Sequence, residues 1–110
     1  MFSVPGLPDP PIKVELCDWD SDRHDLQWGF PPSDGGAAIT KYKVEMRKAK
    51  PEGSDWVEVG ESDGPKRFYS QGGLTKGEKY QYRVRSVNKA GPSEPSEPTP
   101  YLIAKPRKCK

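Results

Sequence analysis

One short stretch constrains the fold more than any other. In Ile39-Thr40-Lys41-Tyr42-Lys43-Val44-Glu45-Met46-Arg47, the apolar Tyr42, Val44 and Met46 alternate with Lys41, Lys43, Glu45 and Arg47. A two-residue period puts one set on each side of a pleated strand, one face apolar and the other charged. A helix would scatter both sets around its circumference. Ile39 is out of phase with Tyr42, which predicts a bend or bulge near Thr40.

The alternation recurs along the chain. Ile12, Val14 and Leu16 alternate with Lys13, Glu15 and Cys17, and Leu26 and Trp28 with Asp25, Gln27 and Gly29. Lys79 to Val87 forms a long candidate strand with Tyr80, Tyr82, Val84 and Ser86 on one side. Trp56–Val59 and Lys66–Ser70 are shorter candidates. Between them lie turn signals: Asp18 to Arg23 (a polar turn in which Trp19 is an unusual choice), Pro31 to Gly36, Lys50 to Asp55, Ser62 to Pro65, Gly72 to Gly77 and Asn88 to Gly91. The chain has 13 prolines, which favour extended segments and turns over helices. A last strand, roughly Ser93 to Ile103, carries Pro95, Pro98 and Pro100 and must lie at an edge or be broken, because proline donates no ladder hydrogen bond. No segment has sustained helical periodicity and no internal repeat is evident. About seven short strands in one all-β domain predict an antiparallel sandwich.

The expected domain spans residues 12–103. Residues 1–11, with Pro5, Pro8, Pro10 and Pro11, read as a semi-rigid proline-rich linker. Residues 104–110, with Lys105, Arg107, Lys108 and Lys110, read as a basic C-terminal linker.

Charge and composition narrow the function classes. The 18 Lys and Arg nearly balance the 16 Asp and Glu, for a net charge of +2. A dedicated nucleic-acid binder carries a stronger basic bias, so none is expected. Mean hydropathy is −0.93, and no apolar run reaches the length of a membrane span. Met1-Phe2-Ser3-Val4-Pro5 lacks the basic start and apolar block of a secretory signal.

Catalytic and metal chemistry lack their usual residues. The chain has one histidine, His24, and two distant cysteines, Cys17 and Cys109, at no zinc-ligand spacing. No GxSxG, HExxH, phosphate-loop or GxGxxG pattern occurs. Asp18, Asp20, Asp22 and Asp25 read as a solvated turn, since a calcium loop needs a ligand spacing and a fixed glycine absent here. The expectation is no enzyme, no cofactor and no metal. Cys17 is expected to be a buried free thiol and Cys109 an exposed one, with a disulfide between them as the alternative. Unpaired cysteines lean toward a reducing compartment. Asn88 is followed by Lys89 and Ala90, so it forms no glycosylation sequon.

Three stretches resemble a fibronectin type III domain: Leu26-Gln27-Trp28 its second strand with a core tryptophan, Leu74 to Tyr80 its tyrosine corner, and Tyr82 to Asn88 its sixth strand. The resemblance covers roughly Leu7 to Ile103. Ser33 to Glu45 looks like the DGGxxIxxYxVE segment of the titin/twitchin-like giant muscle proteins, and Val87 to Ser96 is similar to their VNxAGxSxPS segment. The Ser70-Gln71-Gly72-Gly73 lead into Leu74 departs from the family's polar-β pattern.

This resemblance implies a repeat module of an intracellular, sarcomeric filament-associated protein. Such modules act as spacers, bear tension and dock on myosin, other thick-filament proteins or adjacent immunoglobulin and fibronectin modules. Some precede a kinase domain. It implies a monomer as an isolated domain. The alternative is a fibronectin domain of an extracellular receptor or matrix protein, disfavoured by the free cysteines and the absence of sequon, Arg-Gly-Asp and Trp-Ser-x-Trp-Ser.

Parity assigns faces. Trp28, Tyr42, Val44, Leu74, Tyr80, Tyr82 and Val84 are the expected core. Lys41, Lys43, Glu45 and Arg47 then share a solvent face with Gln81, Arg83 and Arg85 if the third and sixth strands are neighbours. With Val57 and Val59 pointing inward, Trp56 and Glu58 join that face. This basic strip has two readings. One is cross-strand compensation, with Glu45 and Glu58 offsetting their neighbours and Trp56 stacked under an arginine. The other is a docking face for an acidic partner, formed by Lys41, Lys43, Arg47, Trp56, Arg83 and Arg85.

Overall fold

The computed structural model describes residues 6–49, 55–64 and 66–106. Its strands are β1 (Ile12–Asp20), β2 (Arg23–Gly29), β3 (Lys41–Lys48), β4 (Val57–Asp63), β5 (Phe68–Gln71), β6 (Lys79–Asn88), β7 (Gly91–Pro92) and β8 (Leu102–Ile103). They make two antiparallel sheets. One has the order β1-β2-β5; the other runs β4-β3-β6-β7, with β8 also paired to β6. The described residues contain no helix.

The core fills the space between the sheets. Leu26 and Trp28 come from β2, Tyr42 and Val44 from β3, and Tyr80, Tyr82 and Val84 from β6, with Leu74 and Ala104 closing one end. All are buried, and Trp28 meets Tyr42 edge-to-face at 5.4 Å. The Tyr80 hydroxyl accepts a 2.9 Å hydrogen bond from the Thr75 amide, which fixes the chain crossing from β5 to β6.

Several expectations need correction. The polar turn of Asp18 to Arg23 is a two-residue hairpin: Asp18, Trp19 and Asp20 continue β1, and Asp20 pairs with Arg23. β3 begins at Lys41, so Ile39 lies before it, and β3 pairs with β6 without a register shift. The irregularity lies on the other side of β3. Val44 faces Gly60 while Glu45 faces Glu58, so Val59 is an extra residue in β4. The bulge takes Val59 out of the ladder, and the Tyr69 hydroxyl from the opposite sheet lies 2.9 Å from its carbonyl. Val57, expected to point inward, is 58% exposed opposite Met46. Cys17 is exposed, not buried, because it shares the outer side of β1 with Glu15, while Val14 and Leu16 take the inner side. Burial of its surroundings and the nearby Asp25 and Asp18 carboxylates still push its thiol pKa up. Cys109 and its disulfide alternative lie outside the described residues.

The proline-bearing last strand resolves into a different device. From Ser93 to Thr99 the chain follows β6 as a three-residue repeat: Pro92-Ser93-Glu94, Pro95-Ser96-Glu97, Pro98-Thr99-Pro100. The amides of Ser93, Ser96 and Thr99 donate to the carbonyls of Ser86, Val84 and Tyr82 at 2.7–2.8 Å. The amides of those same β6 residues donate back to the hydroxyl oxygens of Ser93, Ser96 and Thr99 at 2.9, 3.0 and 3.1 Å. Each side-chain oxygen replaces the carbonyl that a regular strand would offer. The prolines fall at positions where no amide is needed, so β6 is satisfied along an edge that proline otherwise protects.

From Gly6 onward, the segment expected as a linker is hydrogen-bonded to the sandwich. The Gly6 amide donates to Gly35 at 2.8 Å and the Asp9 amide to Ser33 at 2.9 Å, and Pro8 and Pro11 are buried. Residues 1–5 and 107–110 lie outside the described residues.

Candidate partner-binding face

The β4-β3-β6 register places the charged side chains of three strands together. Lys43 lies opposite Arg85 and Glu45 opposite Arg83 on β6; on the other side, Glu45 lies opposite Glu58 and Lys43 opposite Glu61. Glu45 is the hinge of the arrangement. Its Oε1 accepts from Arg83 Nε at 2.5 Å and its Oε2 from Arg85 Nε at 3.1 Å. Partial burial pushes the Glu45 pKa up, but the hydrogen bonds and charges of Arg83 and Arg85 outweigh it and hold it below the usual carboxylate range.

Two guanidinium groups lie against the ring of Trp56, just before β4. Arg47 Cζ is 4.6 Å and Arg83 Cζ 4.4 Å from the indole centroid. Arg47 Nε also donates to Gln81 Oε1 at 2.8 Å, and Gln81 Nε2 donates to the Thr99 carbonyl. Arg85 Nη1 donates to the Ser93 carbonyl at 2.9 Å. The arginines are thus held in place by the sheet. The lysines are looser: Lys41 pairs with Glu61 at 3.3 Å and Lys43 with Glu58 at 3.6 Å, through side chains 30–47% exposed. Such exposed pairs contribute at most about 1 kcal/mol each and weaken with salt.

The model of the family described as "Fibronectin type III domain" matches residues 9–101. The chain belongs to the fibronectin type III family. This fibronectin module is 34% identical to the titin homolog of Caenorhabditis elegans over 94% of its own length, a share of that protein that rounds to 0%. It is 35% identical to fast-type myosin-binding protein C of Gallus gallus, again over 94% of its length and 9% of the relative. The solved twitchin kinase region of C. elegans superposes on 90% of the module with a TM-score of 0.83 and 31% identity, the module covering 17% of that chain. The module therefore spans less than a tenth of these two curated relatives.

Lys41, Lys43, Arg47, Trp56, Arg83 and Arg85 are brought together on one face of the fibronectin module. Parity alone missed Glu61, because the bulge at Val59 brings it opposite Lys43. It also left two buried polar groups unassigned. His24 shares the parity of Leu26 and Trp28 and is fully buried. Asn88 is buried at the end of β6, where its Nδ2 donates to the carbonyls of Gly6 and Asp34 at 2.8 and 2.7 Å. Its Oδ1 accepts from the amides of Ala90 and Gly91. Among the described residues, no group of three or more His, Cys, Asp or Glu side chains could hold a metal ion.

Proposed function

We propose that this module is a non-catalytic structural and docking unit of a giant, intracellular, sarcomeric filament-associated protein of muscle. It serves as a spacer that transmits tension. Its β4-β3-β6 face meets an acidic segment of a thick-filament partner such as myosin. The muscle relatives support the setting, and the name of myosin-binding protein C supports the partner class.

The Glu45 bridges and the stacked Trp56 are the cross-strand compensation that the sequence allows, and the docking reading rests on the same geometry: Trp56 and the arginines are already held on the face. Five cations stand there against three carboxylates, and ordering Arg47, Arg83 and Arg85 has been accomplished by the fold. A partner that meets preorganised side chains loses less conformational entropy on binding. The loosely paired Lys41 and Lys43 supply the exchangeable charges that steer an acidic segment in.

Reversing Arg83 or Arg85 would crowd Glu45 with a second carboxylate and disturb the fold. The Lys41→Gln/Lys43→Gln double variant removes the two loosely paired charges without adding a carboxylate beside Glu58 or Glu61. In cosedimentation with purified myosin filaments, the unaltered module is expected to bind less as salt rises. The double variant should lose that binding with its melting temperature unchanged. Equal binding by both proteins would rule out this face as the docking surface.

A further inference from the structure

The charged face is not uniform along its length. At its Trp56 end the side chains satisfy one another: Arg47 and Arg83 stack on the indole, Arg47 bonds Gln81, and Glu45 joins Arg83 to Arg85. At the other end Lys43 and Arg85 stand directly opposite each other, the one like-charged pair on the β3–β6 ladder, and Lys41 follows on the same side of β3. Like charges directly opposed across two strands are destabilising. The nearby carboxylates balance them poorly. Glu45 is shared between two arginines, while Glu58 and Glu61 reach Lys43 and Lys41 only through exposed side chains, at 3.6 and 3.3 Å. Arg85 is nonetheless fixed. Its Nε donates to Glu45 and its Nη1 to the Ser93 carbonyl, and its Nη2 has no partner among the described residues.

We propose that this end of the face receives a phosphorylated side chain of the partner, a phosphomonoester set among Lys41, Lys43 and Arg85. The proposal rests on reading the β4-β3-β6 face as the docking surface and names what that surface selects. A phosphomonoester carries about −1.5 to −2 charge at neutral pH and three acceptor oxygens. It can meet both ammonium groups and the Arg85 Nη2 at once, and it cancels the repulsion between Lys43 and Arg85. A carboxylate brings one charge and two oxygens, and so adds little to what Glu58 and Glu61 already supply. The two kinds of cation divide the work. Arg85 is held by the sheet and loses little freedom on binding, whereas Lys41 and Lys43 can swing from their exposed glutamates to the incoming group. Docking is then switched by a kinase acting on the partner, with no change in the module itself.

The test titrates the isotope-labelled 110-residue chain with two acidic peptides of equal net charge, followed by NMR. One holds a phosphoserine between glutamates; the other is glutamate throughout. The phosphoserine peptide is expected to bind about tenfold more tightly, the effect of one or two added charge-assisted hydrogen bonds. Its shifts should centre on Lys41, Lys43 and Arg85, and its phosphorus resonance should move. In the Lys41→Gln/Lys43→Gln variant the preference should vanish with the melting temperature unchanged. Lys41→Arg/Lys43→Arg, which keeps both charges, should retain it. Equal binding of the two peptides at this face would overturn the proposal and leave the docking reading standing. Binding of neither peptide at the face would overturn both. A preference that survives the glutamine variant would also sink the proposal. So would tighter binding to vesicles containing phosphatidic acid than to the phosphoserine peptide, which would make a lipid headgroup the occupant.

Discussion

His24 Nδ1 and the Tyr82 hydroxyl lie 2.8 Å apart in the core, so an imidazole from one sheet meets a phenol from the other. The rings are edge-to-face with centroids 5.5 Å apart. Nε2 faces the Ile103 carbonyl, which only accepts, so Nε2 carries the proton and Nδ1 accepts from Tyr82. Burial pushes the His24 pKa below its ordinary 6.5, and the Ile103 carbonyl and Asp25 offset this only in part. Burial, with Tyr80 and Tyr69 nearby, raises the Tyr82 pKa, so the phenol remains a neutral donor.

The first prediction follows from that depressed imidazole. Below about pH 6.5 the unfolded chain takes up a proton that the folded chain refuses. Stability is therefore fully present above pH 6.5 and is lost as pH falls toward the folded pKa, by at most about 1.4 kcal/mol per pH unit. Urea midpoints at pH 7.5 and 5.5 should differ accordingly, and His24→Leu should flatten the difference. Glu45 contributes stability that is present above the usual carboxylate range and is lost as pH falls through that range toward its lowered folded value, so its loss begins at a lower pH than that of His24.

Tyr80→Phe removes the acceptor of the Thr75 amide. The ring remains packed, so the loss is the hydrogen bond and the desolvation of the amide left behind, roughly 1–3 kcal/mol. A lower urea midpoint is expected. An unchanged midpoint would show that this hydroxyl does not hold the corner.

Gly60→Ala tests the fit between the β4 bulge and Tyr69. An added Cβ would stand 2.6 Å from Tyr69 Cζ, so the ring must leave its place over Val59 and Gly60. Overpacking of this kind costs roughly 1–3 kcal/mol. In calorimetry Gly60→Ala should melt lower than the parent. Adding Tyr69→Ala should abolish the further penalty of the alanine, because the clash has lost its partner.

Asn88→Ala should release the leading segment before it releases the sandwich. It removes the donors to Gly6 and Asp34 and the acceptor of the Ala90 and Gly91 amides, a loss of roughly 1–3 kcal/mol. Hydrogen exchange should quicken at the Gly6 and Asp9 amides while those in the centre of β6 remain protected. Uniform quickening would mean that Asn88 supports the whole fold and not the latch.

The sequence by itself determined which residues alternate. Lys41 to Arg47 can pack as a half-buried strand and not as a helix, because a two-residue period suits only a pleated backbone. Its composition also fixed the charged outer face of β3 and β6, since each side chain's side follows from parity once two strands are neighbours. Parity is local, however, and it fails wherever the register changes. The extra residue at Val59 has no sequence signal of its own, yet it decides that Glu61 stands opposite Lys43. Cys17, by contrast, stands on the exposed side where its alternation with Val14 and Leu16 puts it. Pairings such as His24 with Tyr82 and Asn88 with Gly6 join residues 58 and 82 positions apart. Only the tertiary structure could decide these, because a buried polar group takes whichever partner packing brings within hydrogen-bond reach.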